Sequence, residues 1–171
     1  MGLQLIFVVE TNKRTNSDWI YIKDTIEHFY RYERTQVKFS PVYMDGKGKY
    51  EKKEKEIQGL ISQYASTSKT NQSKVIYCFD CDEYNKKPED LAFLKEVKKY
   101  CQTKGYHFVW FCRDIEEVYL GEQIPDNQKK ERSASFKAKK KINDIPKEIL
   151  CASEYGIGKS NLALVLNQFL S

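Results

Sequence analysis

The chain has 171 residues, which is enough for one domain with a buried core. No apolar run is long enough to span a membrane, and no leader-like pattern follows Met1, so we expect a cytoplasmic protein with no membrane partner. The formal net charge is +5, and it is concentrated in "KKERSASFKAKKK", residues 129 to 141, where seven Lys or Arg accompany one Glu.

Cysteine and histidine patterns argue against a site for a soft metal. The five cysteines are odd in number, and most lie in apolar segments, which predicts buried thiols in a reducing compartment. These are Cys78, Cys81, Cys101 and Cys112. Because no second Cys or His pair follows at zinc-ligand spacing, we expect any bound metal to be a hard cation held by carboxylates.

Strand and helix patterns alternate from the start of the chain. "LQLIFVVE" (3 to 10) predicts a strand covered on both faces, and residues 16 to 31 have the apolar spacing of an amphipathic helix. "TQVKFSPVYM" (35 to 44) predicts a second strand, followed by a second helix around residues 57 to 64. Strand followed by helix is the repeating unit of an α/β fold.

The alternation continues to residue 121. "SKVIYCFD" (73 to 80) and "HFVWFC" (107 to 112) predict two more strands, separated by a helix that begins at Pro88 and ends at Gly105. "DIEEVYLG" predicts a short helix. We therefore expect a single α/β domain over residues 1 to 171, with a four-stranded, mainly parallel sheet flanked by helices in residues 1 to 121. Residues 122 to 171 are predicted to form a polar basic arm, through about residue 145, and a C-terminal helix.

Acidic residues follow several of these strands. Glu10 ends the first, Asp80 and Asp82 end the third, and Glu116 follows the fourth. Because the carboxyl ends of parallel strands meet at one edge, these acids are expected to converge. Clustered carboxylates raise one another's pKa unless a cation neutralises them, and oxygen ligands suit Mg²⁺ or Mn²⁺. Two aspartates in an ordinary loop are the alternative interpretation of the Asp-x-Asp pattern alone.

The acid pattern resembles that of the TOPRIM domain, which has a glutamate after its first strand and Asp-x-Asp after its third. The matching segments are "IFVVE" at Glu10 and "YCFDCDE" at Asp80 and Asp82, within residues 3 to 121. "FVWFCRDIEEVYLG" is most similar to the RloB-like and OLD-like nuclease branch associated with phage defence, with Glu116 as the matching acid. The resemblance implies a Rossmann-like sheet. It also implies that Glu10 is a metal ligand or general acid/base, and that Asp80 and Asp82 hold Mg²⁺ or Mn²⁺ during phosphodiester cleavage or transfer.

Basic residues provide candidate contacts to a nucleic-acid backbone. On the acidic edge these are Lys13, Arg14, Lys47, Lys49 and Arg113. In the basic segment they are Lys129, Lys130, Arg132, Lys137, Lys139, Lys140 and Lys141. The glycines of "DGKGKY" (45 to 50) would let main-chain amides approach a phosphate, although an ordinary turn explains that segment as well. A solvated, mobile loop is the alternative for residues 129 to 141.

The hypothesis from the sequence is a small TOPRIM-fold nuclease or phosphotransfer enzyme that uses Mg²⁺ or Mn²⁺ and acts on DNA or RNA. Its central residues are Glu10, Asp80 and Asp82. A second hypothesis is a catalytically weak binding or effector module that works through a protein partner. A third is a metal-dependent phosphatase or nucleotide-processing enzyme on a similar sheet.

Overall fold

Five strands form one sheet in the computed structural model, which describes residues 2–171. The strands are β1 (Leu3–Val9), β2 (Val37–Tyr43), β3 (Gln72–Asp80), β4 (His107–Cys112) and β5 (Lys159–Ser160). Their spatial order is β2-β1-β3-β4-β5, and β1 to β4 are parallel. The α/β class and the mainly parallel sheet are therefore confirmed. With β1 and β3 adjacent at the centre, the segments that carry Glu10 and Asp80 are neighbours.

Helices cover both faces of the sheet. They are α1 (Ser17–Phe29), α2 (Glu54–Thr67), α3 (Pro88–Lys104), α4 (Ile115–Leu120), α5 (Lys129–Ala138) and α6 (Leu162–Leu166). Short 3-10 turns occupy Lys47–Lys53, Asp126–Gln128, Lys141–Asp144 and Lys147–Leu150. No helix in residues 2–171 is both long and apolar enough to cross a bilayer.

Side chains of the strands alternate between two apolar layers, as the pleat requires. Leu5 and Phe7 of β1 belong to a layer that includes buried residues of α1, α4, α5 and α6. Ile6 and Val8 face the other way, into a layer with Ile57 of α2 and residues of α3. Burial on both faces accounts for the continuous apolar runs of β1, β3 and β4.

The prediction of four strands was wrong, because β5 adds a fifth. It contains two residues and pairs antiparallel with β4, opposite Phe111 and Cys112. A strand of two residues carries no apolar alternation, and the glycines at 156 and 158 just before it are turn signals. The sequence therefore offered no pattern from which β5 could be recognised.

The prediction of a basic arm was also wrong, because residues 129 to 138 form α5, which packs on α1. Phe136 is 2% exposed and contacts the rings of Tyr21 and Tyr119, with centroid distances of 5.0 and 5.7 Å. Ile142, in the following turn, is also buried. Lysines cover the exposed face of this helix, so its composition is similar to that of a polar loop. Its one large apolar side chain, Phe136, packs the helix against the core.

Two of the cysteines form a disulfide, where the sequence predicted free thiols. Cys81 and Cys112 lie at the ends of the paired strands β3 and β4, with their Cα atoms 5.0 Å apart. Cys78 and Cys101 are buried thiols, as expected, and Cys151 is a partly buried thiol. Cys78 and Cys81 pack in different apolar clusters, so their closeness in sequence does not indicate a pair. The partner of Cys81 is 31 residues away, and sequence spacing alone does not identify it.

Candidate functional site

The predicted acids lie at the carboxyl edge of the sheet. Glu10 directly follows β1, Asp80 is the last residue of β3, and Glu116 lies in the first turn of α4. Asp82 has a left-handed backbone, with φ of 51°, and its N–H donates to the carbonyl of Arg113 at 2.7 Å. The segment after β3 therefore lies beside the segment after β4. This hydrogen bond fixes the position of the Asp82 main chain.

Hydrogen bonds tie three of these segments together. Glu10 Oε1 accepts the main-chain N–H of Asp80 at 3.1 Å. Asp80 Oδ1 accepts the main-chain N–H of Ile115 at 2.9 Å, at the start of α4. The ends of β1 and β3 and the start of α4 therefore meet around the Asp80 carboxylate, which is almost fully buried.

Asp18 and Glu116 add buried negative charge behind this edge. Asp18 lies in the first turn of α1, is 6% exposed, and accepts the N–H of Thr11 at 3.3 Å. Glu116 is 1% exposed, and neither of its carboxylate oxygens has a hydrogen-bond partner among the described residues. A buried carboxylate without hydrogen bonds is costly unless it is protonated or neutralised by a cation.

Burial, followed by mutual repulsion, raises the pKa of the carboxyl groups at this edge. The pKa of Glu10 rises to about 8, first through desolvation and then through the charges of Asp18 and Asp82. Desolvation likewise raises the pKa of Glu116 to about 7 and that of Asp18 to about 6. Asp80 has a pKa well above its usual value for the same reasons. In the folded protein, these groups favour a proton or a cation.

Two lysines supply positive charge inside this cluster. Lys47 forms an ion pair and hydrogen bond with Asp82 Oδ2. Lys129, the first residue of α5, places Nζ 3.7 Å from Glu116 Oε1 and 3.2 Å from Asp126 Oδ1. Burial alone would lower the pKa of both lysines, but the surrounding carboxylates raise it, so both stay charged.

The acids are gathered at one edge without forming a ready metal cage. Among residues 2–171, no group of three or more His, Cys, Asp or Glu side chains is arranged to hold a metal ion. Asp80 is hydrogen-bonded to Ile115, and Asp82 is engaged by Lys47. The four predicted ligands therefore share a location, but their oxygens do not converge on one point.

The predicted basic residues divide into engaged and exposed ones. Arg113 makes two hydrogen bonds of 3.1 Å to Glu117, so its guanidinium is occupied. Lys49 is half-exposed beside Asp45, at 3.8 Å. Lys13 and Arg14 are exposed in the loop after β1. The remaining predicted basic residues lie along α5 and the turn after it, where most are exposed: Lys130, Arg132, Lys137, Lys139, Lys140 and Lys141.

Sequence reasoning missed Asp18 as a member of the acidic cluster and placed Lys129 only among the residues that contact a nucleic-acid backbone. A signal for Asp18 existed, because the helix after β1 begins at the same edge at which β1 ends. Lys129 could not be placed there, because its position depends on the docking of α5 through Phe136.

Comparison with known proteins adds no relative. Searches against models of protein families, curated proteins and solved structures found no match to this chain.

Proposed function

We propose that this chain is a TOPRIM-like nuclease or phosphodiester-transfer protein that acts on DNA or RNA with Mg²⁺ or Mn²⁺. The observation that supports it most is the buried carboxylate of Glu116, which accepts no hydrogen bond from residues 2–171 and lies near Asp18 and Asp80. A compact excess of buried negative charge at the ligand-binding edge of a parallel sheet is what a divalent cation would offset.

The donor chemistry fits a hard cation. Carboxylate oxygens surround the position, while both histidines lie elsewhere, one at the start of β4 and the other in α1. Asp80, Asp82 and Glu116 would hold the metal, with Glu10 as a further ligand or as the group that carries a proton. Ligation requires Lys47 to release Asp82, since its ammonium group now occupies that carboxylate.

A bound Mg²⁺ or Mn²⁺ would supply charge stabilisation at the phosphate during phosphodiester cleavage. The chain itself supplies proton transfer and phosphate binding. Glu10, with a pKa of about 8, can carry a proton at neutral pH and deliver it to a leaving oxygen. Lys47 and Lys129 can exchange their carboxylate partners for the oxygens of a bound phosphate. The exposed lysines of α5 provide further positive charge for the backbone of the nucleic acid.

One observation favours a different function, a binding or effector module with little catalysis that works through a protein partner. The described residues contain no ready three-ligand cage, and Lys47 neutralises Asp82 without a metal. In that case the two lysines would be permanent structural partners of the acids. Metal-dependent turnover separates the two functions.

The deciding experiment incubates the protein with labelled single- and double-stranded DNA and RNA in Mn²⁺, Mg²⁺ or EDTA. We expect metal-dependent cutting that is lost in Asp80→Asn and Asp82→Asn and kept in Glu89→Gln, which removes an exposed carboxylate on α3. No cutting of any substrate by the wild type would favour the effector module. Hydrolysis of p-nitrophenyl phosphate or nucleoside triphosphates alone would point to a phosphatase or nucleotide-processing enzyme.

A further inference from the structure

A second site is formed where α4, α5 and the turn Lys141–Asp144 meet. It is a surface cavity of about 350 Å³ with an apolar floor that includes Tyr119 and Phe136, both almost fully buried. Arg132, Lys139 and Lys141 also line it. An apolar floor with a few convergent polar groups is the usual construction of a small ligand site.

Positive charge exceeds negative charge in this cavity. Asp144 is the one carboxylate among its lining residues, and it lies 3.9 Å from Lys141. Arg132 is 3.2 Å from Glu122 outside the cavity. Lys139 forms no ion pair with any residue in the described range 2–171, so its ammonium group is available to an anion. The cavity therefore favours an anionic ligand.

The cavity is linked to the acidic edge by α5. The helix begins at Lys129, which contacts Glu116, and Lys139 follows directly after its last residue. Ten residues of helix span about 15 Å. A bound strand a few nucleotides long could therefore have one phosphate near Lys139 and another at the acids.

We propose that this cavity is a phosphate subsite that holds the nucleic-acid strand a few nucleotides from the acidic edge. This inference rests on the proposed nuclease function for its substrate class. Lys139, Lys141 and Arg132 contact the phosphate oxygens, and the apolar floor receives the adjoining sugar or base. The bound group is either an internal phosphodiester or a terminal phosphate, which share this chemistry.

The test measures fluorescence anisotropy of a labelled eight-nucleotide single strand in EDTA, where metal-dependent cutting cannot occur. Lys139→Glu/Lys141→Glu is compared with Lys55→Glu/Lys95→Glu, which changes two exposed lysines on α2 and α3 and gives the same net charge. We expect the cavity variant to weaken binding about tenfold and to lower the slope of log Kd against log salt, because phosphate contacts are lost. The control variant should change Kd less than twofold.

Equal weakening by both variants would overturn the subsite, because it would show a general effect of charge. Unchanged binding in the cavity variant would also overturn it, because the cavity lysines would then not contact the strand. Tighter binding of a 5′-phosphorylated strand, lost in the cavity variant, supports the subsite as a terminal-phosphate site. Equal binding of both strands by the wild type, with the same loss in the variant, supports it as a phosphodiester site. Since the assay needs no turnover, the subsite can hold when the nuclease proposal fails, and the reverse. Thermal unfolding by circular dichroism checks that both variants are folded.

Discussion

Glu10 Oε1 accepts the main-chain N–H of Asp80 at 3.1 Å, which joins the end of β1 to the end of its neighbour β3. The bond orients the Glu10 carboxyl group at the edge of the sheet, and it favours the ionised form of that group. Burial and the charges of Asp18 and Asp82 act more strongly in the opposite direction and raise the pKa of Glu10 to about 8. The carboxyl group of Glu10 is therefore held in position, while the cluster around it carries an excess of negative charge.

This imbalance predicts that the metal-free protein loses stability as the pH rises from about 5 to 8. Asp18, Glu116 and Glu10 have pKa values of about 6, 7 and 8 when folded, above those of an unfolded chain. The folded state thus binds more protons in this window, and each extra proton lowers the free energy of unfolding by about 1.4 kcal/mol per pH unit. Urea unfolding in EDTA at several pH values measures this slope.

Glu116→Gln is the matched variant for that slope, because it keeps the shape of the side chain and removes its charge. We expect a shallower pH dependence than in the wild type and a higher free energy of unfolding at pH 8. His107, whose pKa is lowered by burial, acts in the opposite direction, but it is one group against three. Stability that increases from pH 5 to 8 in EDTA would show that the cluster does not hold these protons.

The ion pair between Lys47 and Asp82 predicts opposite effects on metal binding and turnover. Lys47→Gln removes the cation that competes for Asp82, so we expect Mn²⁺ to bind several-fold more tightly in calorimetric titrations. Turnover of a nucleic-acid substrate should fall, because Lys47 can no longer contact a phosphate. Lys55→Gln, which changes an exposed lysine of α2, serves as the control. Weaker Mn²⁺ binding in Lys47→Gln would contradict the competition.

The docking of α5 depends on Phe136. Phe136→Ala removes a ring that is 2% exposed between Tyr21 and Tyr119, and we expect a loss of about 3–5 kcal/mol of stability. Lys130→Ala changes an exposed residue of the same helix and should alter stability by less than about 0.5 kcal/mol. Equal, small effects of the two substitutions in urea unfolding would mean that residues 129 to 138 are not packed on the core.

The Cys81–Cys112 disulfide predicts the number of reactive thiols. After denaturation without reductant, maleimide should label Cys78, Cys101 and Cys151, and reduction should expose the other two of the five cysteines. Closing a loop with a sequence separation of 31 stabilises by about 3–4 kcal/mol in the chain-entropy model, so reductant should lower the unfolding midpoint. Labelling of all five cysteines before reduction, measured by mass spectrometry, would rule out the pairing.

Much of the parallel sheet could be predicted, because β1, β3 and β4 are buried on both faces over most of their length and leave continuous apolar runs. The meeting of Glu10 and Asp80 at one edge followed from the direction of parallel strands alone. The rest depended on tertiary contacts with weak local signals. One apolar residue, Phe136, turns a lysine-rich segment into a docked helix, and a two-residue strand has no period to detect.

The order of the acids along the chain also could not show which cationic side chains pair with them. Asp82 and Glu116 were predicted as metal ligands, and each has an ammonium group beside it, from Lys47 and Lys129. These pairs join residues from separate elements of the fold, and their geometry depends on how those elements pack at the edge of the sheet. Sequence spacing gives no information on that packing.

The most direct measurement is the anomalous scattering of Mn²⁺ in crystals grown with a single-stranded oligonucleotide whose phosphodiesters resist hydrolysis. We predict a Mn²⁺ peak within bonding distance of carboxylate oxygens drawn from Asp80, Asp82 and Glu116, with Lys47 moved away from Asp82. Crystals saturated with Mn²⁺ that show the Lys47–Asp82 pair intact and no peak at these acids would contradict the proposal that this edge is a divalent-cation site.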